Sequence, residues 1–287
     1  MTHFSLRLVQ WVGRLPLPWV RALGAALGWA LYLLIGSRRR VVHTNLRLCF
    51  PHWSARQLQR QTRQTFVYFA QAWLDRGWLW YAPPEVTLAR LRLVGAVDEL
   101  DGQAATLIFV PHFVGMDAGW TAMTQQLSRQ FTTVYAAQTN RVVDAWILKG
   151  RKRFPNGRPF DRREGFKPVL QALRAGEPLC LLPDMNYDPK DSVFVPFYGV
   201  SAATIPSLSR VAKMGRAKVI AMISRITPQG YEVEITRRWP NFPSDNWVAD
   251  TATMNLCLQA YIDRDPAQYY WVHKRFKDRP DGGPSPY

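Results

Sequence analysis

The 287-residue chain carries 37 Lys and Arg against 21 Asp and Glu, a formal net charge of +16. With 47% hydrophobic and 13% aromatic residues it can bury a sizeable core, which excludes a disordered tail protein. The positive balance calls for anionic partners, whether nucleic acid, acidic lipid or an acidic protein.

The charge is uneven along the chain. Asp75 is the first acid, and ten arginines but no lysine precede it. Sixteen uncharged residues lie between Arg21 and Arg38, about 24 Å as a helix. That is marginal for a hydrocarbon core about 30 Å thick. Trp19, Trp29 and Tyr32 suit the headgroup region, and Arg38-Arg39-Arg40 an anionic leaflet. This reads as a short membrane anchor or interfacial helix, in preference to a buried helix of a soluble protein. Arg21, inside the apolar region, argues against a cleaved signal peptide.

A helix is expected over 54–80, capped by Ser54, with Leu58, Thr62, Thr65, Phe66, Phe69 and Trp73 near helical spacing. Ala82-Pro83-Pro84 ends this part. It divides an N-terminal membrane anchor and helical region, 1–84, from a catalytic domain, 85–287. Beyond it, strands are expected at 106–111, 132–136, 179–183, 219–224 and 231–236. They alternate with helices at 115–127, 142–154, 166–174, 207–214 and 250–262. The fold class is therefore α/β, a largely parallel sheet flanked by helices and preceded by an N-terminal membrane-associated helical segment. Residues 278–287 read as an irregular tail.

His112-Phe-Val-Gly-Met-Asp117 runs off a buried-looking strand into a helix. On one continuous helix the two functional side chains would point about 140° apart. They meet only if His112 sits in the turn and Asp117 in the first helical turn, which Pro111 and Gly115 favour. A carboxylate on one imidazole nitrogen fixes the tautomer and leaves the other to take a hydroxyl proton. His273 and Asp278 share the spacing, so spacing alone discriminates little. His112 ends an apolar strand, where α/β sheets hold ligands, whereas His273 has Lys274, Arg275 and Lys277 beside it and reads as structural.

Two further stretches stand out. Lys149 to Arg163 holds seven basic residues and ends in Phe160-Asp-Arg162-Arg163, a loop able to aim a guanidinium at a phosphate. A long loop follows the strand at 179–183 and carries Asp184 and Asp188. No phosphate-binding loop, dinucleotide fingerprint or zinc-protease motif occurs. The three cysteines, Cys49, Cys180 and Cys257, show no paired or CxxC spacing, so neither a disulfide framework nor a metal site is expected. Direct transfer to a substrate hydroxyl, without a protein nucleophile, is the chemistry these residues favour.

The chain resembles the late acyltransferases of lipid A biosynthesis, the lauroyl/myristoyl transferases of the lysophospholipid acyltransferase superfamily. The likeness rests on Arg38-Arg-Arg40, His112-Phe-Val-Gly-Met-Asp117, Phe160-Asp-Arg162, Pro183-Asp184, Asp191-Ser-Val-Phe-Val-Pro-Phe197 and the ending Gln268-Tyr-Tyr-Trp-Val-His-Lys-Arg-Phe. It implies transfer of a fatty acyl chain from acyl carrier protein to a hydroxyl on an acyl chain of a lipid A precursor of the Kdo-lipid IVA type. His112 would be the base and Asp117 its orienting acid. Arg162 would bind acceptor phosphate or sugar, with Arg141, Arg163 and Asp184 also on the substrate. Asp184 departs from the superfamily's more common Glu in a Pro-Glu-Gly context. The resemblance implies no cofactor or metal. Its partners would be acyl carrier protein, a phosphorylated lipid A precursor and the inner membrane, with the catalytic domain on the cytoplasmic face, and not nucleic acid.

Overall fold

The computed structural model describes residues 3–280 and 282–287. In chain order the helices before the sheet are α1 (His3–Val12), α2 (Leu17–Leu34), α3 (Gly36–Cys49), α4 (Ala55–Tyr81) and α5 (Pro84–Arg90). They are followed by β1 (Leu91–Gly95), β2 (Thr106–Phe109), α6 (Met116–Gln126), β3 (Phe131–Tyr135), α7 (Arg141–Arg151), β4 (Gly157–Asp161), α8 (Lys167–Arg174) and β5 (Leu179–Leu181). The chain continues through β6 (Val193–Phe197), β7 (Val200–Thr204), α9 (Ser207–Gly215), β8 (Lys218–Thr227), β9 (Gly230–Ile235) and α10 (Trp247–Asp263).

Seven strands form one sheet in the order β1-β9-β8-β2-β5-β3-β4. Only the β8–β9 pairing is antiparallel. Successive residues of β2 serve opposite faces, as strand geometry demands. Leu107 and Phe109 join a core with Leu173, Leu208 and Leu258 of α8, α9 and α10. Ile108 and Val110 join another with Trp120 of α6, Trp146 of α7 and Leu79 of α4. Both faces are thus covered, which a parallel sheet requires.

The five expected strands and the five helices between and after them are present, with small shifts at their ends. β1, β4 and the β6–β7 hairpin are additional. β4 is an edge strand containing Pro159, where a missing N–H is tolerated. The hairpin turns on Tyr198 and Gly199, at φ 52° and 73°. Two successive positive φ values suit a tight two-residue turn.

Ser54 caps α4 through a reciprocal box with Gln57. Among the described residues α2 is the one helix long and apolar enough to cross a membrane. One side of it exposes Trp19, Leu23, Leu27 and Leu34. The other packs along α4, where a Cβ on Gly24 would meet Gln71 at 2.8 Å and one on Gly28 would meet the Val67 Cα at 2.5 Å. Arg21, the charge inside the apolar run, turns inward and pairs with buried Asp75 at 3.2 Å. Burial pushes the Asp75 carboxyl above its ordinary value despite that pairing, and Tyr231 and Trp78 donate to it at 2.6 and 2.8 Å. Residues 1–84 therefore contribute side chains to both cores of the sheet. The described residues of the tail have no regular structure but fold back, with the Tyr287 hydroxyl bonded to Asn45 and accepting from the Phe276 amide at 3.0 Å.

Candidate active site

β2 and β5 are neighbours and run parallel, so the loops leaving their carboxyl ends emerge side by side. One carries Val110-Pro111-His112, the other Leu182-Pro183-Asp184. This is where open α/β sheets hold ligands. The His112 loop is fixed from behind by the C-terminal segment. Tyr270 N donates to His112 O at 2.9 Å, Val114 N donates to Gln268 O at 2.9 Å, and Phe113 bridges to Tyr269.

Asp184 is fully buried and meets three donors. His112 Nδ1 lies 2.7 Å from its Oδ1, the His112 backbone N–H donates to Oδ2 at 2.9 Å, and the Tyr269 hydroxyl donates to Oδ2 at 3.1 Å. Burial opposes ionisation of this carboxyl, but His112 and these hydrogen bonds outweigh it and hold it below the usual carboxylate range. A carboxylate on Nδ1 places the proton there and leaves Nε2 the basic nitrogen. Nε2 has no hydrogen-bond partner among the described residues.

Asp117 sits in the first turn of α6, but it does not meet His112. Its Oδ2 accepts from Arg76 Nε at 2.8 Å and its Oδ1 from Arg151 Nε at 3.0 Å, each guanidinium adding a second contact. Burial would raise this carboxyl; Arg151 and Arg76 overcome it and hold it at about 2. The expected His112–Asp117 pairing is thus replaced by two separate arrangements. The imidazole faces Asp184, and the Asp117 oxygens are taken up by two cations. Asp184 lies on the Nδ1 side of the imidazole and is fully buried.

His112, Asp117 and Arg151 share a cavity of about 270 Å³ whose remaining walls include Met116, Trp120, Cys180 and Met222. A pocket that combines a few polar groups with apolar walls suits a ligand with a reactive head and a greasy body. Cys180 offers no nucleophile, since burial pushes its thiol up to about 12. A second cavity, about 500 Å³, shares Val134, Ala136, Cys180 and Leu182 with the first and is lined by Arg162. Arg162 bonds the Tyr187 hydroxyl and lies over its ring at 5.8 Å.

Arg163 is exposed and paired with Asp161, and Arg141, the exposed first residue of α7, lines neither cavity. His273 and Asp278 do not meet either. Asn186 N donates to His273 Nε2 at 3.2 Å, and Asn186 Nδ2 donates to Asp278 at 2.6 Å, which ties the Asp184 loop to the C-terminal segment. Burial, then Arg275 and His112, push His273 down to about 4. Among the described residues no three His, Cys, Asp or Glu side chains gather as a metal site. Arg76 gave no local sequence signal, whereas Arg151 stood within the basic run.

A family model described as bacterial lipid A biosynthesis acyltransferase matches residues 1–278. The chain is 29% identical to the lipid A biosynthesis lauroyltransferase of Escherichia coli K12, over all of this chain and 94% of that one. It is 27% identical to the palmitoleoyltransferase of the same strain, again over all of this chain and 94% of the relative. With that strain's myristoyltransferase the identity is 31%, over 88% of this chain and 78% of the other.

Proposed function

The chain belongs to the bacterial lipid A biosynthesis acyltransferases, and from that premise we propose that it moves a fatty acyl chain from acyl carrier protein to an acyl-chain hydroxyl of a phosphorylated lipid A precursor. The observation that carries the mechanism is the 2.7 Å contact between His112 Nδ1 and Asp184. His112 Nε2 takes the proton of the acceptor hydroxyl as its oxygen attacks the thioester carbonyl. The tetrahedral oxyanion collapses, the carbon–sulfur bond breaks, and the leaving thiolate takes the proton back from Nε2. No acyl-enzyme is formed. Asp184 keeps the imidazole in the required tautomer and stabilises the imidazolium.

Asp117 acts on this reading as a positioning residue that holds Arg151 at the cavity wall, where a cation favours the developing negative charge. The apolar walls suit the donor's acyl chain. Arg162, lining the adjoining cavity, is assigned to acceptor phosphate, and exposed Arg141 and Arg163 add to the positive field along the approach. The exposed apolar side of α2 and the excess of arginine before Asp75 support attachment to the cytoplasmic face of the inner membrane.

Labelled acyl-acyl carrier protein incubated with a panel of acceptors tests the substrates. The expected product is a lipid A precursor heavier by one acyl chain. Transfer only to a glycerophospholipid, or none, would overturn the acceptor assignment.

A further inference from the structure

A second cavity system lies on the side of α3 facing the start of α4. It encloses about 870 Å³ and is lined by Arg38, Arg39, Arg40, His43 and Lys274, with no Asp or Glu among the described residues on its walls. Two of the cations are held in place. Arg38 Nη1 donates to Val272 O at 3.2 Å, and Arg39 Nη1 donates to Tyr32 O at 2.7 Å with its guanidinium 5.2 Å from the Tyr32 ring centroid. Arg40 and Lys274 have no acidic partner among the described residues. Four side chains of one sign around one hollow repel each other, and an anion relieves that repulsion.

Leu33 and Leu34, 63% and 81% exposed, are separated from the arginine run by three residues, and the Leu33 carbonyl accepts from Arg39 Nη1 at 3.3 Å, so they form an apolar ledge beside it. Cations within and an apolar ledge outside match an amphiphile with a phosphate head and hydrocarbon tails.

We propose that this cleft is a lipid-phosphate site, with Arg40 and Lys274 contacting the phosphate oxygens and the Leu33–Leu34 ledge contacting the chains. It is distinct from the His112 cavity, with which it shares no lining residue. The phosphate comes either from a surrounding anionic phospholipid or from the acceptor itself.

Binding of the full chain in nonionic detergent to phosphatidylcholine nanodiscs, with and without phosphatidic acid, tests the site. The parent should prefer discs holding phosphatidic acid. Arg40→Gln combined with Lys274→Gln should weaken that preference about tenfold, as expected for lost charge-assisted hydrogen bonds. A charge-matched control, Lys152→Gln with Lys190→Gln, should not. No preference in the parent, or equal weakening in the control, would overturn the proposal. The source is read separately, with the bisphosphorylated acceptor in detergent. A raised acceptor KM at constant kcat in the Arg40/Lys274 variant identifies acceptor phosphate, whereas an unchanged KM with weakened disc binding identifies bilayer lipid. The acceptor arm alone rests on the proposed function.

Discussion

Nδ1 of His112 lies 2.7 Å from Oδ1 of Asp184, a carboxylate 72 residues further along the chain, and that carboxylate also receives the backbone N–H of His112. One residue thus fixes both the ring and the loop that carries it. In Asp184→Asn the amide nitrogen facing Nδ1 would be a donor, moving the imidazole proton to Nε2 and disabling the base. The turnover rate should fall about a thousandfold. Single-turnover acyl transfer checks this, and a rate near the parent's would remove Asp184 from the mechanism.

Asp117→Asn should act first on stability. It leaves Arg76 and Arg151 facing each other without the buried negative charge between them. Breaking a buried ion pair by removing one partner typically costs about 3 kcal/mol or more. Urea unfolding should show it, and an unshifted midpoint would mean that the two guanidiniums are solvated without their acid.

Acid should unmake the same cluster. Asp117 titrates at about 2 in the folded chain, against about 3.9 in an unfolded one. Its contribution is complete above about pH 5 and is lost as pH falls through 2, an amount of about 2–3 kcal/mol. Comparing unfolding midpoints at pH 5 and pH 2.5 in the parent and in Asp117→Asn isolates it, and the variant should show the smaller drop.

His273 works over a higher window. Its folded value of about 4 lies below the ordinary 6.5, so the unfolded chain binds the extra proton between those values. Stability therefore declines as pH falls from about 6.5 toward 4. His273→Gln should flatten that slope, and a slope equal to the parent's would assign it to other groups.

The α2–α4 contact makes a steric prediction. Gly28→Leu would drive side-chain atoms into the Val67 backbone, a strain of about 1–3 kcal/mol. Gly36→Ala, where the nearest neighbour of an added Cβ is the flexible Arg39 side-chain tip at 3.8 Å, is the matched control. Limited proteolysis between α1 and α2 should accelerate in the first variant only.

The sheet interior was legible because its strands are short apolar runs ending in turns, as at Thr106–Phe109. β1 and β4 were not, since edge strands carry polar residues and even Pro159. The α/β class followed from alternation alone. The site was legible only in part. His112 announced itself at a strand end, but sequence spacing offered Asp117 as the local partner. Asp184 reaches it only because β5 lies next to β2, and strand order is a property of the folded sheet. Arg76 had no signal at all: it is one arginine on a long helix, given meaning by where α4 crosses α6.

Because Gly24 and Gly28 let α2 lie directly on α4, its inward ridge is as much part of the enzyme's interior as its outward ridge is exposed. Cutting away the first 35 residues to obtain a water-soluble enzyme would strip Val67 and Trp78 of cover and trade one greasy surface for another. Repainting Trp19, Leu23, Leu27 and Leu34 with polar side chains, while sparing Val20 and the two glycines, is the route to solubility that the packing leaves open.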